Sequence, residues 1–169
     1  GIARLSSCLQ SGRVEHRVID ANIEGLLYLM RRTAKTDSNA GRREARARKN
    51  LEANLALLSQ PDICKNESTY SRIVTDINHV LNIAGRSCGV GLSLSDYVDP
   101  KLSPVQSRDL FTAAENPQAN PFYPYFLNCI QQALAQEPEF IGLSLNFLSQ
   151  ALCTMAMIGT IKKSNPRQK

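Results

Sequence analysis

Pro138-Glu139-Phe140-Ile141-Gly142-Leu143-Ser144-Leu145-Asn146-Phe147-Leu148-Ser149-Gln150 is the stretch on which the reading of the fold turns. From Phe140 to Leu145 only Gly142 and Ser144 interrupt an apolar run. Its length and composition are those of a strand buried on both faces of a parallel sheet. Ser144, Asn146, Ser149 and Gln150 follow, with hydrogen-bonding side chains where such a strand gives way to a helix. In open α/β sheets that position, beyond the carboxyl end of a strand, is where ligands bind. After Gln150, the residues Leu152, Met155, Ala156, Ile158, Gly159 and Ile161 recur at helical spacing. Lys162 and Lys163 complement the negative end of the helix dipole, and Pro166 stops the helix. The stretch therefore predicts strand, polar loop and helix.

Outward from it, the start of the chain reads similarly. Ile2, Leu5 and Leu9 share one helical face, and Ser11-Gly12 ends that helix. Val14 to Ile19 alternates apolar and polar residues, predicting a strand with Asp20 at its carboxyl end. Ile23, Leu26, Leu27 and Met30 then form the stripe of a second helix. Helix, strand, helix is what remains of a βαβ series without its first strand. Between them, Thr36 to Gly41 is a polar linker, and Arg42–Leu58 and Thr69–Ala84 are predicted helices. Val90 to Ser95 reads as a short strand or an extended loop. Ser107–Ala114 and Pro121–Ala135 are predicted helices within a proline-punctuated tract. The organisation expected is residues 1–35 and 137–169 as parts of one α/β domain, and 36–136 as a mainly helical insertion.

Composition narrows the class. A chain of 169 residues is long enough to bury roughly 70% of its unfolded surface without disulfides. Its five cysteines are odd in number and widely spaced, with no Cys-x-x-Cys pair, which suits small core residues in a reducing compartment. No apolar run approaches a membrane span and no signal peptide is visible, so the expected location is cytoplasmic. The net charge of +5 is concentrated: Arg31 to Lys49 holds eight basic residues against Asp37 and Glu44. Without interleaved aromatics or helix-turn-helix spacing, this segment reads as a solvated helical face rather than a nucleic-acid site.

Gly1-Ile2-Ala3-Arg4-Leu5, Val18-Ile19-Asp20-Ala21-Asn22-Ile23-Glu24-Gly25-Leu26 and Ile141 to Gln150 together resemble the amino-terminal cobalamin-binding-type domain of cobalamin-dependent radical S-adenosylmethionine proteins. Leu102-Ser103-Pro104-Val105-Gln106-Ser107 is similar to the Ser-Pro-rich stretch of that family's connecting segment. The resemblance implies an incomplete Rossmann-like, flavodoxin-like parallel sheet with a large helical insertion. It implies a corrinoid cofactor lying across the strand ends. Asn146, Ser149 and Gln150 would then donate to its amides and nucleotide tail, Ser144 would shape the close approach, and Asp20 with Asn22 would flank the same edge. Gln150, with the least obvious capping role, is the leading candidate. Asp20 and Ser149 also suit helix caps, and Asn146 a turn.

The chain contains no Cys-x-x-x-Cys-x-x-Cys, so a four-iron cluster and S-adenosylmethionine would belong to a carboxyl-terminal radical domain of the parent protein. This chain alone is then not catalytic. It also lacks the Asp-x-His-x-x-Gly that supplies an axial histidine to cobalt in the classical cobalamin domains; His16 and His79 are read as structural. A sheet without its first strand suggests a fragment that self-associates through open strand edges. Two other readings remain: a non-catalytic interaction domain presenting its helical insertion, and a nucleic-acid module built on Arg42, Arg43, Arg46 and Arg48.

Overall fold

Apolar spacing in the middle of the chain builds the molecule. The computed structural model describes residues 2–35 and 41–169. In chain order it forms α1 (Ile2–Ser11), α2 (Ala21–Ala34), α3 (Arg42–Lys49), α4 (Leu51–Leu58), α5 (Glu67–Ser87), β1 (Gly91–Leu92), β2 (Tyr97–Val98), α6 (Ser107–Glu115), α7 (Tyr123–Leu134) and α8 (Ala151–Ser164). Ile63–Lys65, Pro117–Ala119 and Leu148–Gln150 are single 3-10 turns. The polar linker expected from Thr36 lies mostly outside the described residues.

Helix α5 is the axis. Asn66 starts it by accepting the Thr69 N–H at 3.1 Å. Ile73, Ile77, Val80, Leu81 and Ala84 then form a stripe exposed by 3% or less. Helices α2, α3 and α4 and strand β1 pack on α5, while α8 packs against α6 and α7. One apolar core joins the parts, with Met30, Leu51, Ile77, Phe126, Ile130 and Ala156 all members. The expected helix Arg42–Leu58 is divided at Asn50, whose ψ of 1° replaces a helical value and separates α3 from α4.

The parallel Rossmann-like sheet is not formed. The ladder present among the described residues is the antiparallel pair β1 and β2, in register Gly91↔Val98 and Leu92↔Tyr97. It is a hairpin closed by the Ser93 hydroxyl, which accepts the Asp96 N–H at 3.0 Å, and tied to α5 by Asn78, whose side chain accepts the Leu94 N–H at 2.9 Å. The two segments expected to be parallel strands, Val14–Ile19 and Phe140–Leu145, run in no helix and no ladder. The apolar run Phe140–Leu145 suggests burial on two faces and the alternation of Val14–Ile19 burial on one, but in each only a single isoleucine is covered. Ile19 and Ile141 rest against the core, whereas Val18 is 48%, Phe140 64% and Leu145 50% exposed. A strand exists only when a neighbouring chain satisfies its backbone groups, and here helices occupy the interior against which a sheet would have to pack.

Helices α6 and α8 approach closely at Gly159. A Cβ on Gly159 would lie 1.9 Å from the carbonyl oxygen of Ala114. Gly159→Ala is therefore expected to push the two helices apart and to cost about 2 kcal/mol despite the better helix propensity of alanine. Gly41→Ala, with open space around it, should stay within about 0.5 kcal/mol of the parent protein in urea unfolding.

Candidate functional site

The expected cofactor residues fall at two helix starts. Asp20 caps α2, its Oδ1 accepting the Ile23 N–H at 3.0 Å, and Asn22 is exposed in the first turn of that helix. At the other start, Ser144 and Asn146 are exposed on the irregular segment before the helix, and Ser149 and Gln150 are half-buried in the 3-10 turn leading into α8. Gln150 does have a local role: its Oε1 accepts the N–H groups of Asn146 and Phe147 at 3.3 and 3.4 Å. A side chain read as having the least obvious capping role thus holds the loop, and its NH₂ group has no acceptor among the described residues. The structure brings Ser144, Asn146, Ser149 and Gln150 together by sequence proximity.

Residues that the sequence reading passed over surround the α8 start. The Leu148–Gln150 turn packs on β2. Asn120 donates from Nδ2 to the Cys153 Sγ at 3.5 Å and accepts the Phe122 N–H through Oδ1 at 2.9 Å. Burial pushes the Cys153 thiol up to about 12 from its ordinary value, with Asp99 adding to the effect and the Asn120 bond opposing it. Burial likewise raises the Tyr97 phenol, helped by Cys153 and Asp99. Asp99 accepts the Lys101 and Leu102 N–H groups and so closes a turn. Asn120-Pro121 and Asp99-Pro100 were legible only as turn signals; their meeting with Cys153 is tertiary.

The donor set at Asn146 to Gln150 suits the amide rim of a corrin, and the exposed Leu143, Leu145 and Phe147 suit its apolar edge. Of the two histidines, His79 is exposed on α5. His16 is engaged through Nδ1–H to the Val14 carbonyl at 2.9 Å, while its Nε2 accepts the Ser6 hydroxyl at 2.7 Å. Among the described residues, no three His, Cys, Asp or Glu side chains are grouped to hold a metal ion. A cleft of about 530 Å³ lies elsewhere, along α2, lined by Glu24, Leu27, Tyr28, Arg31 and Tyr125 among others. Tyr125 donates its hydroxyl to Glu24 at 3.0 Å across it. None of the expected cofactor residues lines that cleft.

Part of the basic segment ties helices together, although its basic residues other than Arg48 are exposed. Arg46 reaches Asp76 of α5 at 3.9 Å, and Arg72 reaches the same carboxylate at 3.7 Å. Asp76 is only 8% exposed and also accepts from Asn54 at 3.3 Å. Glu44 pairs with Arg86, and Glu52 holds Arg31 in a bidentate contact at 2.9 and 3.3 Å. Ala47 is buried, so α3 is a packed helix with a basic outer side.

Two consequences can be measured. Cys8, Cys64 and Cys88 are exposed and should react with a thiol reagent in the native protein at pH 8, while Cys129 and Cys153 should react only on unfolding. Because the folded state favours the protonated Cys153 thiol, its contribution is complete below the ordinary thiol value near 9. It is lost as pH rises toward 12, so unfolding should become easier across that alkaline range and less so in Cys153→Ala. No helix among the described residues is long and apolar enough to cross a membrane. Comparison of the chain with protein-family models, with curated proteins and with solved structures finds no match.

Proposed function

We propose that this chain is the cofactor-binding part of a cobalamin-dependent radical S-adenosylmethionine protein, acting in the cytoplasm, with the radical chemistry and its iron–sulfur cluster held in another domain. The observation that carries this reading is local. Both main stretches of the resemblance, Val18–Leu26 and Ile141–Gln150, run from a segment outside any helix or ladder, through a side chain that accepts backbone N–H groups, into a helix start. The binding is proposed on those loops and helix starts rather than on a sheet edge. The Asn146 side chain, the Ser149 hydroxyl and the Gln150 NH₂ would meet the corrin amides, with the first-turn N–H groups of α8 available beside them. Asp20 is committed to its cap and would act only by holding the α2 start. When bound, the corrinoid supplies a cobalt centre for group transfer; the residues of this chain bind and orient it.

A second reading is favoured by one specific observation. Phe140, Leu143, Leu145, Phe147 and Leu148 are all exposed on one short segment. Contiguous apolar surface of this kind marks an interaction site, and supports a domain whose task is contact with another polypeptide.

Hydroxocobalamin titration followed in the visible spectrum tests the first reading. Binding should weaken about tenfold in Asn146→Ala, the loss of a single hydrogen bond to the ligand, with the circular dichroism melt unchanged. A folded chain that leaves the hydroxocobalamin spectrum unaltered at saturation overturns it. For the second reading, a hydrophobic dye such as anilinonaphthalene sulfonate should bind the parent chain and lose most of its fluorescence with Leu143→Ser, Leu145→Ser and Phe147→Ser combined.

A further inference from the structure

The cleft between α2 and α7 is used by neither proposed role, and its lining is sorted by chemistry along α2. Glu24, Tyr28, Arg31 and Lys35 recur every three or four residues on one face of the helix and its C-cap, with Leu27 and Arg32 beside them, and all line the same space of about 530 Å³. That volume is in the range of sites for small organic molecules. Apolar and aromatic surface forms the middle, cations one end and a single carboxylate the other.

The middle is held in place before any ligand arrives. Tyr125 is only 7% exposed, packs on Phe126 with ring centroids 6.0 Å apart, and donates its hydroxyl to Glu24 Oε2 at 3.0 Å. Tyr28 packs beside it at the same centroid distance, with the planes inclined by 39°, and is 36% exposed, so ring surface remains for a third aromatic group to cover. The cationic end is partly engaged: Glu52 accepts from Nε and Nη2 of Arg31. Arg31, Arg32 and Lys35 still outnumber Glu24 and Glu52, and an exposed ion pair such as Arg31–Glu52 is weak enough for a phosphate to share the guanidinium.

We infer that this cleft binds a mononucleotide, with its base against Tyr28 and Leu27, its phosphate at Arg31, Arg32 and Lys35, and its exocyclic amino group donating to Glu24. The Oε1 of Glu24 has no partner among the described residues and is the acceptor for that amino group. From Glu24 to Arg31 is about 10 Å along the helix axis, the reach of one nucleotide from amino group to phosphate. Other anions use the cleft less fully. Inorganic phosphate would leave the aromatic middle uncovered, and a purely apolar anion would leave the Glu24 acceptor unpaired.

Isothermal titration calorimetry of the full chain with adenosine monophosphate at low salt tests this. A dissociation constant of about 10–100 µM is expected, with inorganic phosphate binding at least about tenfold more weakly. Lys35→Ala and Tyr28→Ala should each weaken the nucleotide about tenfold, through a lost charge-assisted bond and a lost stacking surface. Tyr28→Ala should leave phosphate binding unchanged. Both side chains are exposed, so the circular dichroism melts should match the parent chain; Lys101→Ala, a loss of the same charge outside the cleft, should bind as the parent does. Lys35 lies at the exposed C-cap and decides the matter even where Tyr28→Ala fails to fold. Absence of binding at roughly 1 mM nucleotide overturns the inference. So does equal affinity for inorganic phosphate, a nucleotide affinity indifferent to Lys35→Ala, or binding of a single-stranded oligonucleotide that adenosine monophosphate does not displace.

Discussion

Everything in this molecule is arranged around the demand of α5 to bury its apolar stripe. Ile73, Ile77, Val80 and Leu81 are essentially inaccessible to water, which requires helices or strands on several sides of one helix. Helices α2, α3 and α4 and the β1–β2 hairpin meet that demand directly. The aromatic group Phe122, Tyr125 and Phe126 on and beside α7 extends the same core, with neighbouring ring centroids 6.0 Å apart, and leads into α8. Two close approaches show how tight the arrangement is. Gly159 admits the Ala114 carbonyl, and Gly85 admits the backbone at Val90, where a Cβ would come within 2.6 Å of the carbonyl oxygen.

A core organised by helices leaves extended chain with little to do. Val14–Ile19 and Phe140–Leu145 each anchor one isoleucine against the interior and leave their other apolar residues in solvent. The candidate site inherits this. Its polar residues sit on a loop held by the Gln150 carbonyl and on the turn before α8, backed by β2 and the half-buried Cys153. The same loop carries both the polar donors and the exposed apolar residues on which the two proposed roles rest. Ligand and partner would therefore compete for, or share, one surface.

Electrostatics follow the packing. The basic segment is partly spent on tying helices together, Arg46 and Arg72 converging on the buried Asp76 and Arg31 on Glu52. Exposed pairs such as Arg31–Glu52 contribute little stability. The buried carboxylate is different, because removing its partners would leave an uncompensated charge. A charge count along the sequence registers the excess of arginine but not that the opposing carboxylate lies on another helix.

The sequence by itself determined the helices whose apolar residues recur with a helical period: α1, α2, α5, α6, α7 and α8 lie close to where spacing and caps put them. The cap at Asp20 was legible as well, since it acts on an N–H three residues away, whereas Asn66 caps α5 ahead of the start expected at Thr69 and Ser149 makes no cap bond. Only the tertiary structure decided whether Val14–Ile19 and Phe140–Leu145 became strands. A helix satisfies its backbone within itself, so its signal is local and survives in the sequence. A strand depends on a neighbour contributed by distant chain, and an apolar run such as Phe140–Leu145 looks the same whether that neighbour is present or not. The meeting of Asn120, Cys153 and Tyr97 behind the candidate loop was hidden for the same reason: each residue is unremarkable alone, and only the packing of the β hairpin and α7 around the α8 start makes them one environment.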